Sequence, residues 1–148
     1  VATYLLDTTT FSFLMEQHPQ VLARFTSIAP SDRLIICTIV RGEIRYGLER
    51  MPQGRRRQHM ETTAANLFAQ VFCEDVPEAA ADIYARIKRG AERKGTPLDE
   101  NDLWIAATAL VLGARRPAPA VPGFHHQQDH AFGRTRHPFH QPPYGTRI

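Results

Sequence analysis

Leu34-Ile35-Ile36-Cys37-Thr38-Ile39-Val40-Arg41-Gly42-Glu43-Ile44-Arg45-Tyr46-Gly47-Leu48 decides the fold. Its first four residues are continuously apolar and partly β-branched, too short for a helix and suited to a strand covered on both faces. From Thr38 the pattern changes. Val40, Ile44, Leu48 and Met51 recur at helical spacing until Pro52-Gln53-Gly54 ends the run. A buried strand feeding directly into an amphipathic helix is half of a β-α-β unit, so the rest of the chain should hold more such halves.

It does so on both sides. Upstream, Thr3-Tyr4-Leu5-Leu6 reads as a short strand, and Asp7-Thr8-Thr9-Thr10 supplies capping side chains for a helix carrying Phe11, Leu14 and Met15. Downstream, residues 55 to 70 read as a helix with Leu67 and Phe68 inward, and Val71-Phe72-Cys73 as a third strand. Pro77 suits the first turn of the next helix, which should bury Ala80, Ile83, Tyr84 and Ile87 and expose Arg86, Lys88, Arg89, Arg93 and Lys94. Asp99 then caps a helix over residues 101 to 112, apolar nearly all round (Trp104, Ile105, Ala106, Ala107, Leu110) and so expected to be deeply packed. Gly113 stops it. Strands alternating with helices give an α/β fold with a central parallel sheet flanked by helices.

The 148 residues fit one domain, and 43% hydrophobic with 22% charged residues excludes wholesale disorder. No apolar stretch approaches the roughly 20 residues of a membrane helix, and the first residues lack the pattern of a secretory signal, so a soluble, cytoplasmic protein without membrane contact is expected. Cys37 and Cys73 lie inside apolar runs and read as reduced core thiols and not as a disulfide or a zinc site. The net charge of +3 is unevenly spread: residues 1–114 carry 13 Lys+Arg against 14 Asp+Glu, and residues 115–148 carry 5 against 1. That last segment also holds 6 of the 11 prolines and 5 of the 7 histidines, with no apolar period. Two regions follow: a folded unit over 1–114 and an irregular Pro/His/Arg-rich tail over 115–148, expected to add no central strand.

Three carboxylates stand out by position. Asp7 ends the first strand, Glu43 lies in the first turns of the helix after the second, and Asp102 starts the apolar helix. In an open parallel sheet the carboxyl ends of strands and the N-termini of the following helices share one edge, where ligands bind. Acids converging there repel, and a hard divalent cation such as Mg2+ or Mn2+ relieves the repulsion through oxygen coordination. Each acid also has an ordinary reading: Asp7 as a helix cap, Glu43 as a solvated residue paired with a nearby Arg, and Asp102 within a capping arrangement with Asp99-Glu100-Asn101.

Tyr4-Leu5-Leu6-Asp7-Thr8, the block from Thr38 to Leu48, and Gly95-Thr96-Pro97-Leu98 leading to Asp102-Leu103-Trp104-Ile105-Ala106-Ala107 resemble, in order and spacing, the three blocks of PIN-domain ribonucleases, above all the VapC and FitB-like toxins of toxin-antitoxin pairs. The resemblance covers about residues 3–114. It implies a PIN-like three-layer fold, with Asp7, Glu43 and Asp102 as catalytic metal ligands for Mg2+ or Mn2+. It also implies hydrolysis of RNA by metal-activated water, a homodimer, and silencing by a VapB-like antitoxin. Two departures stand beside it. Thr9 occupies a position where the family usually has Asn, and Gly113-Ala114 runs into Arg115-Arg116-Pro117 where the family continues into an apolar strand. A reading-frame change at the compositional break would produce the second departure.

Basic residues give a weaker signal. Arg55-Arg56-Arg57 and the group Lys88, Arg89, Arg93, Lys94 could meet RNA phosphates, or could simply be solvated helix faces. His125, His126, His130, His137 and His140 could bind a transition metal if ordered, although such residues in a Pro-rich segment are more often incidental. The leading expectation is a metal-dependent endoribonuclease toxin. The alternative is a catalytically impaired PIN-like protein that binds or titrates an antitoxin.

Overall fold

The structure is a computed structural model that describes residues 1–96 and 98–115. In chain order the elements are β1 (Thr3–Leu5), α1 (Thr8–Met15), α2 (Pro19–Thr26), β2 (Arg33–Cys37), α3 (Thr38–Arg50), α4 (Arg55–Phe68), β3 (Phe72–Glu74), α5 (Ala79–Arg93) and α6 (Glu100–Val111). The three strands form one parallel sheet in the order β1-β2-β3, with Tyr4 opposite Leu34 and Ile36 opposite Cys73. In central β2, Ile35, Ile36 and Cys37 are all buried. Successive strand residues point to opposite faces, so both faces of the sheet are covered at β2, as the continuous apolar run requires. In edge strand β3 Phe72 and Cys73 are exposed, so Cys37 is a core thiol and Cys73, against expectation, is not.

One core joins the sheet to its helices: Leu5, Leu6, Ile35 and Ile36 with Phe11 and Leu14 of α1, Val40, Ile44 and Leu48 of α3, and Ile105 and Ala109 of α6. Burying aliphatic side chains of this size contributes about 1.5–3 kcal/mol each against chain entropy. Phe11 stacks on Phe68 of α4 at 5.0 Å between ring centroids, tying α4 to the core beneath α1. Thr108, the buried polar residue of α6, returns its hydroxyl to the Trp104 carbonyl at 2.8 Å and so leaves no unmet donor.

The structure departs from the sequence reading in four places. Helix α2 is an element the reading did not anticipate, although Pro19 stands at its start and Val21, Leu22 and Phe25 form its apolar side; it buries only Val21 fully and carries no side-chain cap bond. Of the residues expected to be buried in α5 only Ala80 is; Ile83, Tyr84 and Ile87 are half-covered. Helix α6 packs through Leu103, Ile105, Ala107, Thr108 and Ala109, while Leu110 is 63% exposed. An apolar circumference is therefore not a buried one here.

The fourth departure is at the tail. Gly113, at φ 60°, closes α6 with Ala114 N–H donating to the Ala109 carbonyl at 2.8 Å. The chain then turns back beside β1. Leu5 N–H donates to the Arg115 carbonyl at 2.9 Å and Arg115 N–H to the Thr3 carbonyl at 2.8 Å, a parallel bridge centred on Tyr4. Pairing on the second edge of β1 thus begins at the first residue of the segment read as irregular, because the backbone can pair whatever its side chain. Residues 116–148, including the prolines and the five histidines, lie outside the described residues.

Candidate metal centre

Asp7 follows β1 directly and is the N-cap of α1, its Oδ1 accepting from Thr10 N–H at 2.8 Å. The capping reading of Asp7 is therefore correct, and it fixes where the carboxylate stands. Asp99 caps α6 in the same way, accepting from Asn101 N–H at 2.9 Å, which places Asp102 in the first turn. Glu43 lies between them on α3. All three acids are half-buried.

The Glu43 carboxylate shows how the segments meet. Its Oε1 accepts from the Asn101 side-chain amide at 2.8 Å, and its Oε2 accepts from the Thr8 hydroxyl. Thr8 is next to Asp7 and Asn101 is next to Asp102, although they lie 35 and 58 residues from Glu43 in sequence. The segments carrying the three acids are thus brought to one place at the carboxyl edge of the sheet. No Arg pairs with Glu43 among the described residues. Its partners are a neutral hydroxyl and a neutral amide. At the N-cap of α3, burial pushes the Cys37 thiol above its ordinary pKa, and the nearby Glu43 charge adds to that rise.

Several oxygen donors, with a carboxylate held only by neutral groups, suit a hard cation such as Mg2+ or Mn2+ in donor chemistry. As they stand, no three His, Cys, Asp or Glu side chains among the described residues are grouped to hold an ion. Glu43 accepts one hydrogen bond on each oxygen, from Thr8 and Asn101, and each oxygen keeps a second lone pair through which it could coordinate. Sequence reasoning had placed Asn101 only in a capping box and Thr8 only in a capping run. Their position within four residues of an acid at a strand end was the available signal, but their partner was not legible.

Of the basic groups, Arg55, Arg56, Arg89, Arg93 and Lys94 are exposed, as on solvated helix faces, and Arg57 is not. Arg57 is mostly buried and bridges Glu49 at 3.0 Å and Glu61 at 2.6 Å, which raises its pKa through hydrogen bonds to first Glu61 and then Glu49. It holds α4 against the end of α3. Lys88 donates to Glu100 and to the Tyr84 hydroxyl, and Arg89 pairs with Glu92 at 3.2 Å. Tyr84 also donates to Glu100 and stacks on Trp104 at 4.2 Å, so this charge group ties α5 to the start of α6. Arg57 is a mostly buried partner of carboxylates, whereas Lys88 and Arg89 pair with theirs at the surface.

A parallel sheet whose carboxyl edge gathers acid-bearing segments from three parts of the chain defines an α/β domain with an edge site, and the chain belongs to the PIN domain family, whose model matches residues 4–116. It is 30% identical over 115 residues to Ribonuclease VapC1 of Haemophilus influenzae (strain R2866), spanning 75% of this chain and 81% of that protein. The solved structure of VapBC-1 from nontypeable Haemophilus influenzae superposes with a TM-score of 0.66 at 28% identity, covering 77% of this chain and 84% of that one. FitAcB from Neisseria gonorrhoeae gives a TM-score of 0.60 at 26% identity, covering 76% and 84%. No helix among the described residues is long and apolar enough to cross a membrane.

Proposed function

We propose that this chain is a Mg2+- or Mn2+-dependent endoribonuclease acting as the toxin of a type II toxin-antitoxin pair, with Asp7, Glu43 and Asp102 as its catalytic metal ligands. The observation that carries the reading is the Glu43 carboxylate, joined by hydrogen bonds to the immediate neighbours of the other two acids. RNA as substrate is supported by the similarity to a protein named Ribonuclease VapC1, and a VapB-like antitoxin by the similarity to VapBC-1. Action as a homodimer belongs to the same reading.

When bound, a divalent cation makes water nucleophilic near neutral pH and offsets charge on the phosphodiester. The chain's own residues set the geometry. Thr10 N–H fixes Asp7, and Asn101 fixes Glu43 Oε1. The Thr8 hydroxyl, a short side chain that can rotate, yields Oε2 most readily. Asp102 is carried on the capped first turn of α6. Hydrolysis forms one P–O bond from water and breaks one to a ribose oxygen, which leaves with a proton.

Cleavage of RNA by the full chain in Mn2+, with EDTA as control, tests this reading. Asp7→Asn, Glu43→Gln and Asp102→Asn should each remove most cleavage while the fold persists. Full activity in Asp7→Asn or Glu43→Gln would remove the site assignment. Because no three His, Cys, Asp or Glu side chains are grouped to hold an ion among the described residues, a second reading stands beside it, in which the domain engages an antitoxin without cutting RNA. That reading predicts co-purification with the small protein encoded beside it and no metal-dependent cleavage by the free chain.

A further inference from the structure

Two cations share a single aromatic ring. The Arg41 guanidinium lies 4.5 Å from the Phe68 ring centroid and that of Arg45 lies 5.6 Å from it, and among the described residues no carboxylate pairs with either. Phe68 is anchored from below by its stack on Phe11, a fully buried core residue. A guanidinium on an aromatic ring uses its π-face and leaves its in-plane N–H donors available for a phosphate. Both cations share one ring, so they lie within roughly a Debye length of each other and repel until an anion joins them.

Their place in the sheet matters. Helix α3 follows the central strand and packs beside β3. Glu43 reaches toward Thr8, after β1, and Arg41 and Arg45, two residues to either side of it, stand about 200° around the helix from it. Partial burial raises the pKa of the Cys73 thiol in β3, an effect that the nearby Arg41 charge opposes. The acids and the arginines thus occupy opposite flanks of α3, and an extended polyanion lying along the carboxyl edge of the sheet meets both.

We infer that Arg41 and Arg45, carried on Phe68, form a binding site for the sugar-phosphate backbone of single-stranded RNA on the β3 side of the acidic edge. This rests on the proposed nuclease reading and adds to it the path of the strand. The site reads charge and not base, so it contributes affinity without sequence preference.

The test is fluorescence anisotropy of a labelled, mixed-sequence single-stranded RNA oligonucleotide with the full chain in EDTA, across about 50 to 200 mM KCl. For single strands each lost phosphate contact lowers the slope of log K against log salt by about 0.7, so Arg41→Gln/Arg45→Gln should lower it by about 1.4 and Arg45→Gln alone by about 0.7. Arg41→Lys/Arg45→Lys should keep the slope, as should Arg55→Gln/Arg56→Gln, whose side chains are also exposed cations. Arg45 is exposed, so its single variant keeps the test decisive should the double variant unfold. An unchanged slope in Arg45→Gln, or an equal fall in Arg55→Gln/Arg56→Gln, overturns the inference. If the parent cleaves RNA with Mn2+ while the Arg45 slope is unchanged, this inference alone fails. If the parent neither binds nor cleaves the oligonucleotide, both readings fail.

Discussion

Asp7 holds two roles that substitution can separate. As N-cap of α1 it accepts from Thr10 N–H at 2.8 Å, and in the proposed function the same carboxylate ligates a cation. Asn caps a helix about as well as Asp, whereas Ala does not, and losing the cap costs about 1 kcal/mol, range ~0.5–2. The charge itself favours the helix N-terminus by about 0.3–1 kcal/mol, a gain offset by repulsion from the other acids. Asp7→Asn should therefore change stability by less than about 0.5 kcal/mol, and Asp7→Ala should cost about 1 kcal/mol more, or roughly 4 °C in Tm for a domain of this size. Helix α1 carries Phe11, Leu14 and Met15 into the core, so its fraying is felt globally. Urea denaturation gives the stability and calorimetric Mn2+ titration the affinity. Both variants should lose Mn2+ binding alike while differing in stability. Equal destabilisation by the two, or Mn2+ affinity that follows stability, would refute the separation of cap from ligand.

Three further outcomes are expected. Asn101→Ala removes the amide that fixes Glu43 Oε1, and removal of such a supporting hydrogen bond should weaken Mn2+ binding by about 10- to 100-fold in calorimetry. Gly113→Ala meets no atom within 4 Å, so its cost comes from the φ of 60° alone; urea denaturation should show a loss of about 1 kcal/mol. The Lys88 hydrogen bond, then that of Tyr84, holds the Glu100 carboxyl below its ordinary pKa of 4.5. A depressed acid stabilises the fold above its unfolded pKa and loses that contribution as pH falls through the folded value, so NMR should place the Glu100 midpoint below 4.5 in the native protein and raise it in Lys88→Gln.

The strands and most helices were readable because burial imposes a pattern. Ile35-Ile36-Cys37 had to be covered on both faces, and Val40, Ile44 and Leu48 had to share one stripe; all are buried. Helix α2 escaped because its stripe of Val21, Leu22 and Phe25 spans only two turns and is fully buried at Val21 alone. The acids were legible through topology alone, since each stands where a strand ends or a helix begins. Their supports were not, because Thr8 and Asn101 reach Glu43 across 35 and 58 residues. Basic residues misled for the same reason. A run such as Arg55-Arg56-Arg57 looks solvated until Glu49 and Glu61 are brought against Arg57, while Arg41 and Arg45 look ordinary until Phe68 arrives beneath them. At Arg115 composition predicted irregular chain, yet backbone pairing with Tyr4 needs no particular side chain.

The most direct measurement of the central claim is anomalous diffraction from crystals of the full chain grown with Mn2+. The account predicts one peak at the carboxyl edge of the sheet, ligated by oxygens of Asp7, Glu43 and Asp102 at roughly the 2.0–2.1 Å typical of Mg2+ or slightly longer, with the Asn101 amide still on Glu43 Oε1 and the Thr8 hydroxyl released from Oε2. Crystals saturated with Mn2+ but showing no peak between these carboxylates, or a peak ligated by other residues, would contradict it.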